Sequence, residues 1–147
     1  MKKAIALLVG LICSQQVLGT TFTVFGNMTC HLPYFEYKII FYEDDNLKDD
    51  ELKVVKYKTY LSPHFYRYDF EDMLDASAHF EPYMQIFHNC TDTGGYKKFY
   101  HVLGDYSVTA FHFDIKRDFC LTNFGDRAGV QRIPYEDAQH TNSTKPE

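Results

Sequence analysis

The ten residues Glu81-Pro82-Tyr83-Met84-Gln85-Ile86-Phe87-His88-Asn89-Cys90 constrain this chain more than any other stretch. Proline is tolerated at the first position of a strand but not inside a central one, so Pro82 marks a strand start. Beyond it, Met84, Ile86, His88 and Cys90 share one face of an extended backbone, and Tyr83, Gln85 and Phe87 share the other. This is the pattern of a core strand that ends in a cysteine. A second cysteine, Cys30, closes a similar alternation of Phe22, Val24 and Met28. Two strand ends each carrying a cysteine point to a Cys30–Cys90 bridge that closes about 60 residues. In the chain-entropy account it is worth about 4 kcal/mol.

The start of the chain fixes the compartment. Met1-Lys2-Lys3, an apolar run from Ala4 to Ile12, and Val17-Leu18-Gly19 before Thr20 form a secretory leader over residues 1–19. The apolar run is shorter than the ~20 residues that span a bilayer, and no later segment is longer, so no transmembrane segment is expected. Cys13 leaves with the leader. Cys30, Cys90 and Cys120 then remain, and Cys120 is either free or joined to another molecule. No Cys-x-x-Cys occurs, and no metal or cofactor is expected.

Without residues 1–19, 13 basic residues face 20 acidic ones, a net charge of −7. A chain with that balance and no basic cluster lacks the counterion release that drives nucleic-acid binding, so nucleic acid is excluded as a partner. Thirteen Phe and twelve Tyr with no Trp favour strands, and most of these rings are expected to pack.

Alternation and turn signals predict seven strands. The first carries Phe22 to Cys30, with Gly26 where another backbone approaches closely. The second runs from Phe35 to Glu43, with Phe35, Tyr37, Ile39 and Phe41 inward and Glu36, Lys38 and Tyr42 outward. An acidic loop, Glu43 to Glu51, lacks the glycine and spacing of a helix-loop-helix calcium site. Leu52 to Tyr60 places lysines at 53, 56 and 58, as an edge strand does. Phe65 to Glu71 sets Tyr66, Tyr68 and Phe70 against Arg67, Asp69 and Glu71. Local helical character is confined to Met73 to His79. After the 81–90 strand and a Thr91-to-Gly95 turn come Lys97 to Leu103 and Thr109 to Lys116. Residues 20–125 therefore read as an all-β, seven-stranded antiparallel sandwich of two sheets, and residues 126–147 as a polar, disordered tail.

Four pieces of the chain resemble the nematode transthyretin-like family: Val24-Phe25-Gly26-Asn27-Met28-Thr29-Cys30, Ile39 to Asp45, Pro82 to Cys90, and Lys98-Phe99 leading to Asp105-Tyr106. The resemblance covers about residues 23–120 and implies a secreted transthyretin (prealbumin)-like sandwich. The related ring-opening hydrolases, which act on 5-hydroxyisourate, carry a first-strand His and a C-terminal Tyr-Arg-Gly-Ser. This chain has neither, so the resemblance implies no catalytic centre.

Asn27, Asn89 and Asn142 each begin an acceptor tripeptide for N-linked sugar. His88 is expected to be a partly buried imidazole bonded to a neighbouring backbone or side-chain group. His101 and His112, on neighbouring predicted strands, are candidates to meet across a sheet. The functional expectation is a secreted binding or signalling module. Its partner is another extracellular protein, a cell surface, or a small apolar ligand held at the face of a homodimer. The alternatives are a secreted hydrolase of the 5-hydroxyisourate kind, and a structural or effector protein linked through Cys120.

Overall fold

A computed structural model describes residues 19–44, 49–73, 79–107 and 109–129. The expected leader up to residue 18, most of the predicted helical turn, part of the acidic loop, Asn142 and residues 130–147 lie outside them. The strands are β1 (Gly19–Thr29), β2 (Phe35–Glu43), β3 (Asp50–Thr59), β4 (His64–Met73), β5 (His79–Phe80), β6 (Pro82–His88), β7 (Lys97–Val102), β8 (Tyr106–Ser107), β9 (His112–Lys116), β10 (Phe119–Cys120) and β11 (Asp126–Arg127). All seven predicted strands are present. The four additions are two-residue bridges too short to leave a periodic signature.

A five-stranded sheet runs β11-β7-β6-β2-β3, with every neighbouring pair antiparallel. It puts the Pro82 strand in its middle and the lysine-rich β3 at its edge, as the sequence predicts. The second sheet runs β10-β1-β4, with β9 also on β1. Here the expectation of a wholly antiparallel sandwich is corrected, because β9 and β10 both pair with β1 in parallel. The reason is topological. The chain leaves the five-stranded sheet after β7 and crosses to the other layer, so it returns along β1 in the same direction rather than by a hairpin. β11 makes a second correction. Asp126 and Arg127 pair with Lys98 and Lys97, and the Ala128 N–H donates to the Tyr96 carbonyl (2.8 Å), so the ordered domain passes residue 125.

β9 and β10 are two pieces of one edge, interrupted opposite Gly26. A Cβ on Gly26 would lie 1.8 Å from the carbonyl oxygen of Arg117. Only glycine leaves room for that carbonyl, which accepts the hydroxyl of buried Tyr66 (2.7 Å). Across the interruption the Asp118 carboxylate replaces the missing backbone acceptor and takes the Asn27 N–H at 2.8 Å. That bond holds the Asp118 carboxyl below the usual carboxylate range.

The inner faces meet in an aromatic core. Phe22 of β1 stacks on Phe70 (5.2 Å) and Phe113 (5.4 Å) and meets Phe80 and Tyr106 edge-on. From the facing sheet, Phe35, Tyr37, Ile39, Phe41, Met84 and Ile86 are buried, in the parity the alternation predicts. A polar thread crosses this layer from Thr59 through His64 and Tyr37 to Tyr68. Its steps are 3.3 Å to His64 Nδ1, 3.1 Å from His64 Nε2 to the Tyr37 hydroxyl, and 2.9 Å between the two phenols. Burial raises the Tyr37 hydroxyl far above its ordinary pKa, so it stays protonated and available as a donor.

Candidate functional site

The sulfurs of Cys30 and Cys90 are bonded, with their Cα atoms 5.9 Å apart, and the bridge ties the end of β1 to the residue two beyond β6. His88 is fully buried beside it. Its Nε2 faces the Phe124 carbonyl (3.0 Å), and its Nδ1 accepts the Cys90 N–H (3.2 Å). The Nε2–H tautomer follows from those partners. Burial lowers the imidazole to a pKa of about 4. His88 is thus a neutral structural group, as expected.

Around the bridge, His31 donates from Nε2 to Asp92 Oδ1 (2.7 Å). The other carboxylate oxygen, Oδ2, accepts from Asn123 Nδ2 (2.7 Å), while Asn123 Oδ1 takes the Asp92 N–H (3.0 Å). Asn123 sits in the left-handed region, φ 57°, which asparagine tolerates better than most residues. His31 Nδ1 therefore turns inward, 3.3 Å from Thr122 Oγ1 and 3.8 Å from Cys90 Sγ.

The remaining predicted residues are dispersed. Cys120 carries an exposed free thiol on β10. Asn27, half-buried on β1, is engaged with Asp118. Asn89 Oδ1 accepts the Glu36 N–H at 2.8 Å, and its neighbour Cys90 is already bridged. His101 and His112 do not meet, because β7 and β9 belong to different sheets. Their sequence neighbourhood is misleading because the crossover intervenes. His101 instead accepts from Arg117 Nε (3.1 Å), and His112 lies 3.4 Å from Asp114.

A surface the sequence did not single out is the outer face of the five-stranded sheet. Its register aligns residues in rows across the strands. One row is Lys56, Lys38, Phe87 and Lys98, closed by Asp126. The next is Val54, Ile40, Gln85 and Tyr100. A third sets Tyr42, Tyr83 and Val102 together, with Glu51 at its β3 end. Lys58 stands opposite Glu36 in the row beyond. Lys38 lies over the Phe87 ring (5.2 Å), Tyr42 stacks on Tyr83 (5.1 Å), and the Tyr100 hydroxyl accepts from Gln85 (2.6 Å). Tyr100 and Val102 are 59% and 70% exposed, large apolar groups left in water at the β7 end of their rows, beyond the reach of β11. Glu36, expected outward, is instead buried on this side under Tyr96, whose hydroxyl donates to Glu36 Oε1. Period-two reading marks each of these residues as outward. Only the strand order and register bring them into rows.

Beside this face, a recess of about 340 Å³ is lined by Thr91, Thr93, Gly95, Tyr96, Lys97 and Arg127. Lys97 Nζ is committed there to the carbonyls of Asn123 and Gly125. Among the described residues no helix is long and apolar enough to cross a membrane.

Residues 26–125 match the model of a family described as Caenorhabditis elegans protein of unknown function (DUF870). No curated protein and no solved structure matches the chain.

Proposed function

We propose that this chain, which belongs to the family of Caenorhabditis elegans proteins of unknown function that its residues 26–125 match, is a secreted binding module without a catalytic centre. Its partner is an extracellular protein with an acidic surface, docked on the outer face of the five-stranded sheet. The observation that carries this reading is the lysine row of Lys56, Lys38 and Lys98 beside exposed Tyr100 and Val102, on a chain whose net charge is −5. An apolar patch bordered by charge is a feature of protein interfaces, and tyrosine is enriched among their anchors. Secretion is supported by the leader and by a disulfide, which forms and persists in oxidising compartments. Seven long strands, three in one layer and four in the other, support a transthyretin-like reading of the sandwich.

The test is capture from extracellular fluid by immobilised wild type, by Lys38→Glu/Lys98→Glu, and by Tyr100→Ala/Val102→Ser. Acidic proteins retained by the wild type at low salt, released as salt rises and lost from both variants are the expected outcome. Identical captured sets from all three would end the proposal. The exposed thiol of Cys120 favours a second reading, a covalent pair of chains. A non-reducing gel of secreted protein showing monomer alone rejects it.

A further inference from the structure

Among the described residues, three metal-ligating side chains converge at one place. Cys30 Sγ, His31 Nδ1 and Cys90 Sγ all lie within 4.8 Å of one another. In the bridged state both sulfurs are spent on each other. We propose that this corner is a redox-gated metal site. It is closed as a disulfide and, once reduced, holds one thiophilic divalent cation of the zinc class through the two thiolates and His31 Nδ1.

The geometry is close to what such an ion needs. Tetrahedral zinc, with metal–sulfur bonds of about 2.3 Å and metal–nitrogen bonds of about 2.0 Å, places two sulfurs roughly 3.8 Å apart and sulfur and nitrogen roughly 3.5 Å apart. Cys90 Sγ and His31 Nδ1 already stand at 3.8 Å. The two sulfurs must separate, and Cys30 Sγ, within 4.8 Å of His31 Nδ1, must settle at the ligand spacing, by side-chain rotation on backbones whose Cα atoms are 5.9 Å apart. Three protein ligands leave a fourth position, and Thr122 Oγ1, 3.9 Å from Cys90 Sγ, stands where it can bond a water there.

The surroundings suit a metal-bound imidazole. A ligating histidine ordinarily gives its other ring N–H to a carboxylate, which fixes the tautomer and aims the lone pair. Asp92 plays that part for His31, and the reciprocal Asn123 bonds fix Asp92 in turn. Around the sulfurs, the Leu32 N–H donates to Cys30 Sγ at 3.4 Å, which favours a thiolate. The exposed ring of His31 gives the ion a path inward.

The chemistry balances in two steps. A dithiol reductant opens the S–S bond by exchange, its own sulfurs leaving as a disulfide while Cys30 and Cys90 become thiols. The cation then displaces both thiol protons to solvent. With a phosphine as laboratory reductant, water supplies the oxygen of the phosphine oxide and the two protons that cap the sulfurs.

The experiment uses the secreted chain carrying Cys120→Ser, so that only the two corner cysteines can report. After phosphine reduction it is titrated with Co²⁺ and then Zn²⁺. One Co²⁺ per chain, with thiolate-to-cobalt charge-transfer absorption that Zn²⁺ abolishes, is expected, and the oxidised chain should give no such band. His31→Gln should weaken binding at least tenfold, and Asp92→Ala about 10–100-fold with the stoichiometry still one. Because reduction removes a cross-link, far-ultraviolet spectra and melting are followed together, and Zn²⁺ should restore the strand spectrum and raise Tm. Absence of the charge-transfer band, equal affinity in His31→Gln, or a reduced chain that stays unfolded with Zn²⁺ would each overturn the proposal.

Discussion

The two faces of the five-stranded sheet are made from the same three central strands and obey opposite rules. Inward, Tyr37, Ile39, Phe41, Met84 and Ile86 are all buried, and the polar groups among them have fixed partners, as in the thread from Thr59 to Tyr68. Outward, Tyr100 and Val102 stand in water beside a single lysine row. The inner face spends its side chains on holding the sheets together. The outer face holds up large apolar groups that stay mostly in water. Stability and the proposed recognition are therefore assigned to different residues along each strand.

The sharpest way to break that division is in the core between the sheets. Gly26→Ala drives a methyl group into the Arg117 carbonyl, a backbone atom that cannot swing away. A loss above about 4 kcal/mol, or no folded protein, is expected. Removing the bridge with Cys30→Ala/Cys90→Ala should cost about 4 kcal/mol by denaturant unfolding, because the link closes a separation of 60 residues. A cost near zero would mean that the two strand ends hold without it.

Acid probes the same layer. His88 titrates near 4 when folded and near 6.5 when unfolded, so between those values the unfolded chain holds the extra proton. Its contribution is complete above about pH 6.5 and is lost as pH falls toward 4, on the order of 3 kcal/mol. Burial also lowers His64 and His101, which act in the same direction. His88→Gln should be less stable at pH 7 and show a shallower decline with acid. The smallest expected effect belongs to the outer face. Tyr100→Ala should move stability by no more than about 0.5 kcal/mol while weakening partner capture. A large stability loss there would erase the contrast between the faces.

Much of the inner face was legible in the sequence because burial enforces alternation. Met84, Ile86, His88 and Cys90 declared one side of β6, Gly26 declared a close approach, and the lysines of β3 declared an edge. What failed depended on neighbours from distant parts of the chain. Glu36 follows the outward parity yet lies buried, because Tyr96 folds over it from 60 residues away. His101 and His112 are close in sequence but are divided between layers by the crossover after β7. The outer rows and the His31 corner have the same cause. Their members come from three or more segments, and a periodic pattern carries no record of which strand lies beside which.

The thread from Thr59 to Tyr68 has one further consequence. A neutral imidazole has one N–H and one lone pair, so His64 can donate toward Thr59 or toward Tyr37, but not toward both. Which tautomer it adopts sets which way the Tyr37 hydroxyl points, and through it the Tyr68 hydroxyl on the opposite layer. The orientation of these protons is a single shared variable. Reversing it takes a concerted relay in single file, so one ring at the edge of β4 governs the polarity of the whole seam.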